Sequence, residues 1–397
     1  MKVLQVNVVY NTGSTGKIMC DIHAELVKQG IESVICYGRG KKTQDKNVYK
    51  ICGELYSKIN NLLSRFTGLL YGGCFFSTHK LFRIIKKEKP DIVHLHCLNG
   101  HFVNIYRLVS WLKKNNIKTV LTLHAEFMHT GNCSHAFDCD KWLSGCGKCP
   151  QLKSKAKFVR VDATHKSWIK MKKAFEGFNN LTVVSVSPWL QERAQRSPIL
   201  KGLKHMTVLN GLDTDLFKPS TSNLREIYNL SGKKVVFHAT PQFDNNPSNL
   251  KGGYYVLQLA ERMPEIVFVV AGTYPNGLTV PDNVILLGKV SDQTLLAKWY
   301  SAADITLLTS KRETFSMILA ESLCCGTPVA GFYAGGPETI AIGDYTRFVE
   351  HGNVISLEQI AKELLEQRLD KENISLQARA KYSKENMFLA YYNVYND

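Results

Sequence analysis

Apolar positions along the chain follow two alternating periods. Short runs rich in β-branched residues, at Val3–Val9, Ser33–Tyr37, Asp91–His96, Lys118–His124, Leu181–Val186 and Met206–Asn210, predict strands of a sheet covered on both faces. The run Ser187-Pro188-Trp189 opens a helix with a hydroxyl cap and a proline at its first turn. A second series starts at Lys234–His238, continues through Ile266–Gly272 and Val284–Gly288, and ends in the stretch Ala303–Thr339. Within that stretch Asp304–Thr309 reads as a strand, Phe315–Cys325 as a helix stopped by Gly326, and Thr327–Gly331 as the next strand. Strand, helix and strand in that order form one βαβ crossover of a parallel sheet, so the chain is expected to be α/β. Its 397 residues suit two domains better than one core.

Two stretches depart from this alternation. In the first, Ile59, Leu62, Leu63, Phe66, Leu69 and Leu70 make a helical stripe, followed by Phe75, Phe76, Leu81, Phe82, Ile84 and Ile85. Seven Lys or Arg and one Glu lie between positions 57 and 90, among them Arg83, Lys86 and Lys87. Such a segment is either a core-facing stripe with a solvated basic side or an amphipathic surface for an anionic membrane. In the second, residues 130–150 hold Cys133, Cys139, Cys146 and Cys149, and four thiols within 17 residues ending in C-x-x-C fit a structural zinc site.

Charge adds a further constraint. Residues 1–190 carry 29 Lys+Arg against 12 Asp+Glu, a net +17, while residues 191–397 carry 21 against 22, a net −1. An anionic partner for the first half is expected, and the lack of any zinc-finger, RNA-binding or helix-turn-helix signature ranks nucleic acid low. From Lys141 to Lys173 ten basic residues accompany one acid, which extends the basic face. No apolar run reaches the roughly 18 residues of a membrane span. The opening alternation reads as a strand rather than a secretory signal, and eleven scattered cysteines suit reduced thiols in a cytoplasm.

Candidate chemistry gathers at the carboxyl ends of the strands, where parallel sheets hold ligands. Ser310–Met317 lies after one such strand with a helix N-terminus beyond it, so Glu313 at the lip and Glu321 within the helix are placed to accept sugar hydroxyls. Backbone N–H groups of Thr314, Phe315, Ser316 and Met317 can meet further hydroxyls or a phosphate. His96 and His124 end two strands of the first half. Gly13 and Gly16 shape the turn after the first strand, but two residues between them and Ile18 after Lys17 exclude a P-loop. Asp213-Thr214-Asp215 imitates a metal-binding D-x-D, although it sits in a linker between Asn210-Gly211 and Phe217-Lys218-Pro219.

Glu313 and Glu321, separated by seven residues and followed by C-G-T-P-V-A and then G-G-P-E, resemble the donor-site signature of family 4 retaining glycosyltransferases. The resemblance covers nearly the whole chain and implies the GT-B fold: two Rossmann-like domains facing a central cleft. The implied acceptor domain spans 1–200, the nucleotide-sugar domain spans 201–383, and a last helix, 384–397, packs back on the first. It also implies retaining sugar transfer without a catalytic metal. In that pattern Glu313 fixes the sugar, Glu321 the ribose, His124 the far side of the sugar and Lys251 the diphosphate, with Gly13 and Gly16 against the donor. The family's usual Arg shortly before that Lys is replaced by Asn245 and Asn246, leaving Arg312 or Lys289 to supply the second charge. The acid usually following the histidine is displaced to Glu126. The insertion with its C-x-x-C-P is similar to that of family members building bacterial exopolysaccharide and O-antigen units. The expected partners are therefore a UDP- or GDP-linked sugar and a saccharide or lipid-diphosphate acceptor at the inner face of the cell membrane. An impaired nucleotide-sugar binder and a UDP-sugar epimerase are the competing expectations.

Overall fold

A computed structural model describes residues 1–152, 159 and 161–397. The chain divides into two units: Met1–Val208 with Phe388–Asp397, and Leu209–Met387. The first contains strands β1 (Lys2–Val9), β2 (Glu32–Arg39), β3 (Val48–Lys50), β4 (Ile92–Leu95), β5 (Lys118–Leu123), β6 (Leu181–Ser185) and β7 (Lys204–Thr207). They form one parallel sheet in the order β3-β2-β1-β4-β5-β6-β7. Helices α1 (Gly13–Lys28), α2 (Glu54–Thr67), α3 (Phe75–Glu88), α4 (Ile105–Lys114), α5 (Thr164–Phe175) and α6 (Pro188–Arg196) connect these strands. Ser187 caps α6 through Leu190 N–H at 3.2 Å, with Pro188 at the first turn, as the sequence pattern requires.

The second unit holds β8 (Val235–Gln242), β9 (Val267–Thr273), β10 (Val284–Gly288), β11 (Ile305–Leu308), β12 (Val329–Phe332) and β13 (Thr346–Val349), parallel throughout in the order β10-β9-β8-β11-β12-β13. Helices α7 (Gly253–Arg262), α8 (Gln293–Ala302), α9 (Met317–Cys324), α10 (Gly336–Ile340), α11 (Val354–Glu366) and α12 (Lys371–Tyr382) belong to it, and α13 (Lys384–Asn396) runs on into the first unit. Its core is aliphatic and aromatic, with Val236, Phe268, Val270, Ile305, Leu307 and Phe332 from the strands meeting Val256, Leu259, Leu357 and Leu364 from α7 and α11. In both sheets the strand order reverses once, between β1 and β4 and between β8 and β11. The crevice at such a reversal is where open α/β sheets receive ligands.

The stripe of 57–89 resolves into two different helices. On α3, Leu81, Phe82, Ile84 and Ile85 are buried. On α2 the pattern is inverted: Ser57, Asn60 and Ser64 are buried, while Leu55, Ile59, Leu62, Leu63 and Phe66 are exposed, Leu55 at 72%. Arg83, Lys86 and Lys87 on α3 are exposed. A core-facing role for the first stripe is therefore corrected: Ser57 and Asn60 face inward because they bond backbone there, Ser57 donating to Gly100 O at 3.0 Å and Asn60 accepting from Cys74 N–H at 2.7 Å. Among the described residues no helix is long and apolar enough to cross a membrane. Lys153, Lys155, Lys157 and Arg160 of the basic stretch lie outside the described residues.

Candidate active site

In the second unit, the loop after β8 carries Lys251 and the loop after β11 carries Glu313, so both flank the reversal point of that sheet. The loops are joined by backbone. Lys311 N–H donates to Leu250 O at 2.8 Å, and Thr309 Oγ1 to Lys251 O at 3.0 Å. Gly252 is required here, since it adopts φ +71° and a Cβ would stand 2.2 Å from Thr309 O. Lys251 Nζ then reaches Glu313 Oε1 at 2.6 Å, an ion pair whose side chains are both partly open to solvent. The pair stands beside the N-terminus of α7, which begins two residues after Lys251.

Glu313 is also fixed from the other side. Its N–H donates to Ala334 O at 3.0 Å and its carbonyl accepts Gly336 N–H at 2.9 Å, a close approach that leaves no room for a Cβ at Gly336. Glu338 of G-G-P-E closes the same turn: its carboxylate accepts Gly335 N–H at 2.7 Å and Ala334 N–H at 3.2 Å. This is the glutamate half of a capping box; Gly335 has no side chain to return the bond.

Helix α9 starts at Met317, two residues later than the apolar pattern suggests, because Ser316 takes φ +89° and caps Leu319 N–H with its hydroxyl at 3.3 Å. Thr314, Phe315 and Ser316 are buried, and Phe315 packs edge-on against Tyr382. Glu321 is half-buried and its Oε2 accepts the Tyr300 hydroxyl at 3.0 Å. Tyr300 was not singled out from sequence, where it reads as one more apolar position of α8. Arg312 is half-buried in the same loop as Glu313, whereas Lys289 is exposed beyond β10, two strands from β8. The structure thus gathers Lys251, Arg312, Glu313, Thr314, Phe315, Ser316, Met317 and Glu321 on two adjoining loops and one helix, and sets Lys289 on the loop after β10 of the same sheet.

In the first unit His124 follows β5, and its Nε2 lies 3.3 Å from His96 Nδ1. His96 Nε2 lies 3.0 Å from Gln5 Oε1, and Gln5 Nε2 donates to Met19 O at 3.3 Å. The order of donors follows. Gln5 offers His96 an oxygen, so His96 carries its proton on Nε2 and accepts at Nδ1, and His124 must donate from Nε2, leaving Nδ1 unprotonated. Burial holds His124 down at about 4 and His96 well below the usual histidine range, so both rings are neutral at pH 7. Gly13 takes φ +63° at the mouth of α1, and Gly16 packs against Val9.

Two other acidic candidates have structural work. Asp213 pairs with Lys384 at 2.7 Å and accepts the N–H groups of Asp215 and Leu216, so the D-x-D is a turn. Glu126 is fully buried, accepting Arg193 Nε at 2.7 Å and Ala136 N–H at 2.8 Å. Burial would raise its carboxyl, yet His129, Arg193 and the Ala136 N–H bring it down to about 2. Its displacement from the strand end is thus explained: it anchors the cysteine-bearing insertion. Among the described residues no group of three His, Cys, Asp or Glu is set for a metal ion.

Residues 16–216 match the model of glycosyltransferase family 4, and residues 246–367 match a model of group 1 glycosyl transferases. A putative colanic acid biosynthesis glycosyl transferase of Escherichia coli strain K12 is 24% identical, with all of both chains covered. N-acetyl-alpha-D-glucosaminyl L-malate synthase of Bacillus anthracis is 24% identical over 80% of this chain and 77% of its own. Among solved structures, sucrose-phosphate synthase from Thermosynechococcus elongatus superposes with a TM-score of 0.68 at 16% identity, covering 100% of this chain and 98% of its own. The HepE protein of Anabaena, solved in complex with UDP, does so at 0.67 and 15% identity, with 99% of each chain covered.

Proposed function

Since the chain belongs to glycosyltransferase family 4 and has the GT-B fold, we propose that it is a retaining enzyme that moves a sugar from a nucleotide-sugar to a saccharide acceptor on a lipid diphosphate. The product is a bacterial surface polysaccharide. The observation that carries this reading is the Lys251–Glu313 pair at the strand-order reversal, beside the start of α7. A donor diphosphate placed there competes with Glu313 for Lys251 and releases the carboxylate to the sugar hydroxyls. As the anomeric bond breaks, negative charge grows on the diphosphate, and Lys251 with the N–H groups at the start of α7 stabilises it more in the transition state than in the ground state. Arg312 supplies the second positive charge in place of the missing loop arginine. Glu321, oriented by Tyr300, accepts the ribose hydroxyls. The polysaccharide role takes support from the Escherichia coli relative's printed name, and a UDP-linked donor from the Anabaena complexes with UDP and with UDP-glucose.

These charges lie on the chain itself, so transfer is proposed to need no bound catalytic metal. The test is a panel of UDP- and GDP-sugars, read by thermal stabilisation and then by slow donor hydrolysis without acceptor. One donor is expected to stabilise the protein and to hydrolyse to free sugar of retained anomeric configuration, in EDTA as well as without it. Binding without hydrolysis or transfer would mark a binding module, an isomeric nucleotide-sugar an epimerase, and activity restored to EDTA-treated enzyme only by Mg²⁺ would overturn the metal-free step.

A further inference from the structure

Cys133, Cys139, Cys146 and Cys149 all line one small cavity in the first unit, together with Thr130, Ala136, Lys141, Trp142 and Thr164. Its volume is ≈ 20 Å³. That is room for one water-sized body, for which a cavity needs roughly 10–15 Å³, and too little for an organic ligand.

The backbone around the cavity is anchored at every cysteine. Cys133 N–H donates to Thr130 Oγ1 at 2.9 Å, Cys139 N–H to Ala136 O at 3.0 Å, Cys146 N–H to Lys141 O at 2.8 Å, and Cys149 N–H to Asp162 Oδ2 at 2.6 Å. Four separate backbone bonds therefore hold the four cysteines around one space. The C-x-x-C turn is bent to do so: Gly145, Cys146, Gly147 and Lys148 take φ of 117°, 57°, 97° and 44° in succession. For Cys146 and Lys148 that conformation costs of order 1 kcal/mol or more each, which some interaction of the turn must offset. Lys141 closes the edge, its ammonium bonded to Gly147 O at 3.3 Å and Lys148 O at 2.8 Å, beside the cavity.

We propose that these four cysteines hold one Zn²⁺ ion that ties the 130–150 insertion together. Four thiolates in a tetrahedron at about 2.3 Å favour zinc among the common divalent ions, and the two net negative charges of such a centre suit the ammonium of Lys141 at its edge. The four thiols are not converged to ligand geometry. Binding turns side chains toward the cavity and releases a proton from each thiol, while the anchored backbone stays in place.

The test uses the full chain, purified without chelators. Elemental analysis is expected to give about one zinc per chain, with all eleven thiols titrating once the protein is denatured in EDTA. An organomercurial added to the folded protein should release that zinc as four thiols react. Cys149→Ser should lose the metal and lower the melting temperature by several degrees. Should that variant fail to fold, the organomercurial titration of the unaltered protein still decides. Zinc below a tenth of an equivalent with eleven free thiols would overturn the proposal in favour of packing thiols, and fewer than eleven thiols without zinc in favour of a disulfide. The result is independent of the transferase reading, because metal content is measured without donor or acceptor.

Discussion

Lys251 and Glu313 neutralise each other across 2.6 Å, and in the proposed reaction the donor diphosphate displaces that contact. Replacing Lys251 by Ala then removes a stabiliser of developing diphosphate charge, and kcat is expected to fall tenfold or more, about 1.4 kcal/mol of barrier or above. A rise in KM with unchanged kcat would contradict that role. Glu321→Ala should weaken nucleotide binding instead, by roughly 1.5–3 kcal/mol for a lost charged hydrogen bond, measured by calorimetry with the nucleotide alone. Histidine 124 offers a separate check on the first unit. The chain Gln5, His96, His124 requires the His124 proton on Nε2, and NMR of the imidazole nitrogens at neutral pH is expected to find it there. A proton on Nδ1 would break the relay. The strand-end position made His124 legible from sequence, but Gln5 was not: a buried amide in β1 looks like any polar residue in an alternating strand until β1 pairs with β4 and its Oε1 meets His96 Nε2.

At the scale of elements, the parallel strands and the β11–α9–β12 crossover were legible because buried parallel strands are written as continuous β-branched runs. The loops were not, since the stitching of 250–252 to 309–311 depends on residues some sixty positions apart that carry no local period. Helix α2 shows the limit most clearly. Its apolar period was visible, but period alone does not say which side faces the protein, and here the polar side does. Leu55, Ile59, Leu62, Leu63 and Phe66, with Phe76 of α3 at 80% exposure, form an outward apolar band, and Lys58 stands within one turn of Leu55 and Leu62. An interfacial helix of this kind gains from apolar burial and about 1 kcal/mol for each Lys or Arg near an anionic bilayer. The protein is therefore expected to sediment with anionic liposomes, less with neutral ones and less in high salt. Arg83, Lys86, Lys87 and Lys89 changed to Ser should weaken binding, and Leu62→Asp with Phe66→Asp should weaken it further. Equal recovery in the supernatant with every vesicle type would rule out docking of this helix on a membrane.

For the whole molecule, the two-unit division follows from length and from two series of strands, but the chain does not divide once. Helix α13 begins in the second unit and ends in the first, so the last ten residues, 388–397, complete a unit whose other residues precede position 209. Their attachment is specific. The Tyr395 hydroxyl lies 2.7 Å from His94 Nδ1, His94 Nε2 lies 2.7 Å from Thr122 Oγ1, and the Tyr391 hydroxyl lies 2.9 Å from the same Thr122. Both tyrosines are fully buried, and Lys118 Nζ donates to Tyr395 O at 2.7 Å. Removing a buried aromatic ring costs about 3–5 kcal/mol, and here it also strands a histidine and a threonine without their hydroxyl partners. Tyr391→Ala with Tyr395→Ala, or a chain ending at Met387, should destabilise the first unit selectively. Its proteolysis should speed by orders of magnitude, while a nucleotide still protects the second unit from the same protease, because Lys251, Glu313 and Glu321 are untouched. Equal loss of protection in both units would show that they unfold as one, and unchanged stability of the first would mean that the tyrosine contacts do not hold the chain end in solution.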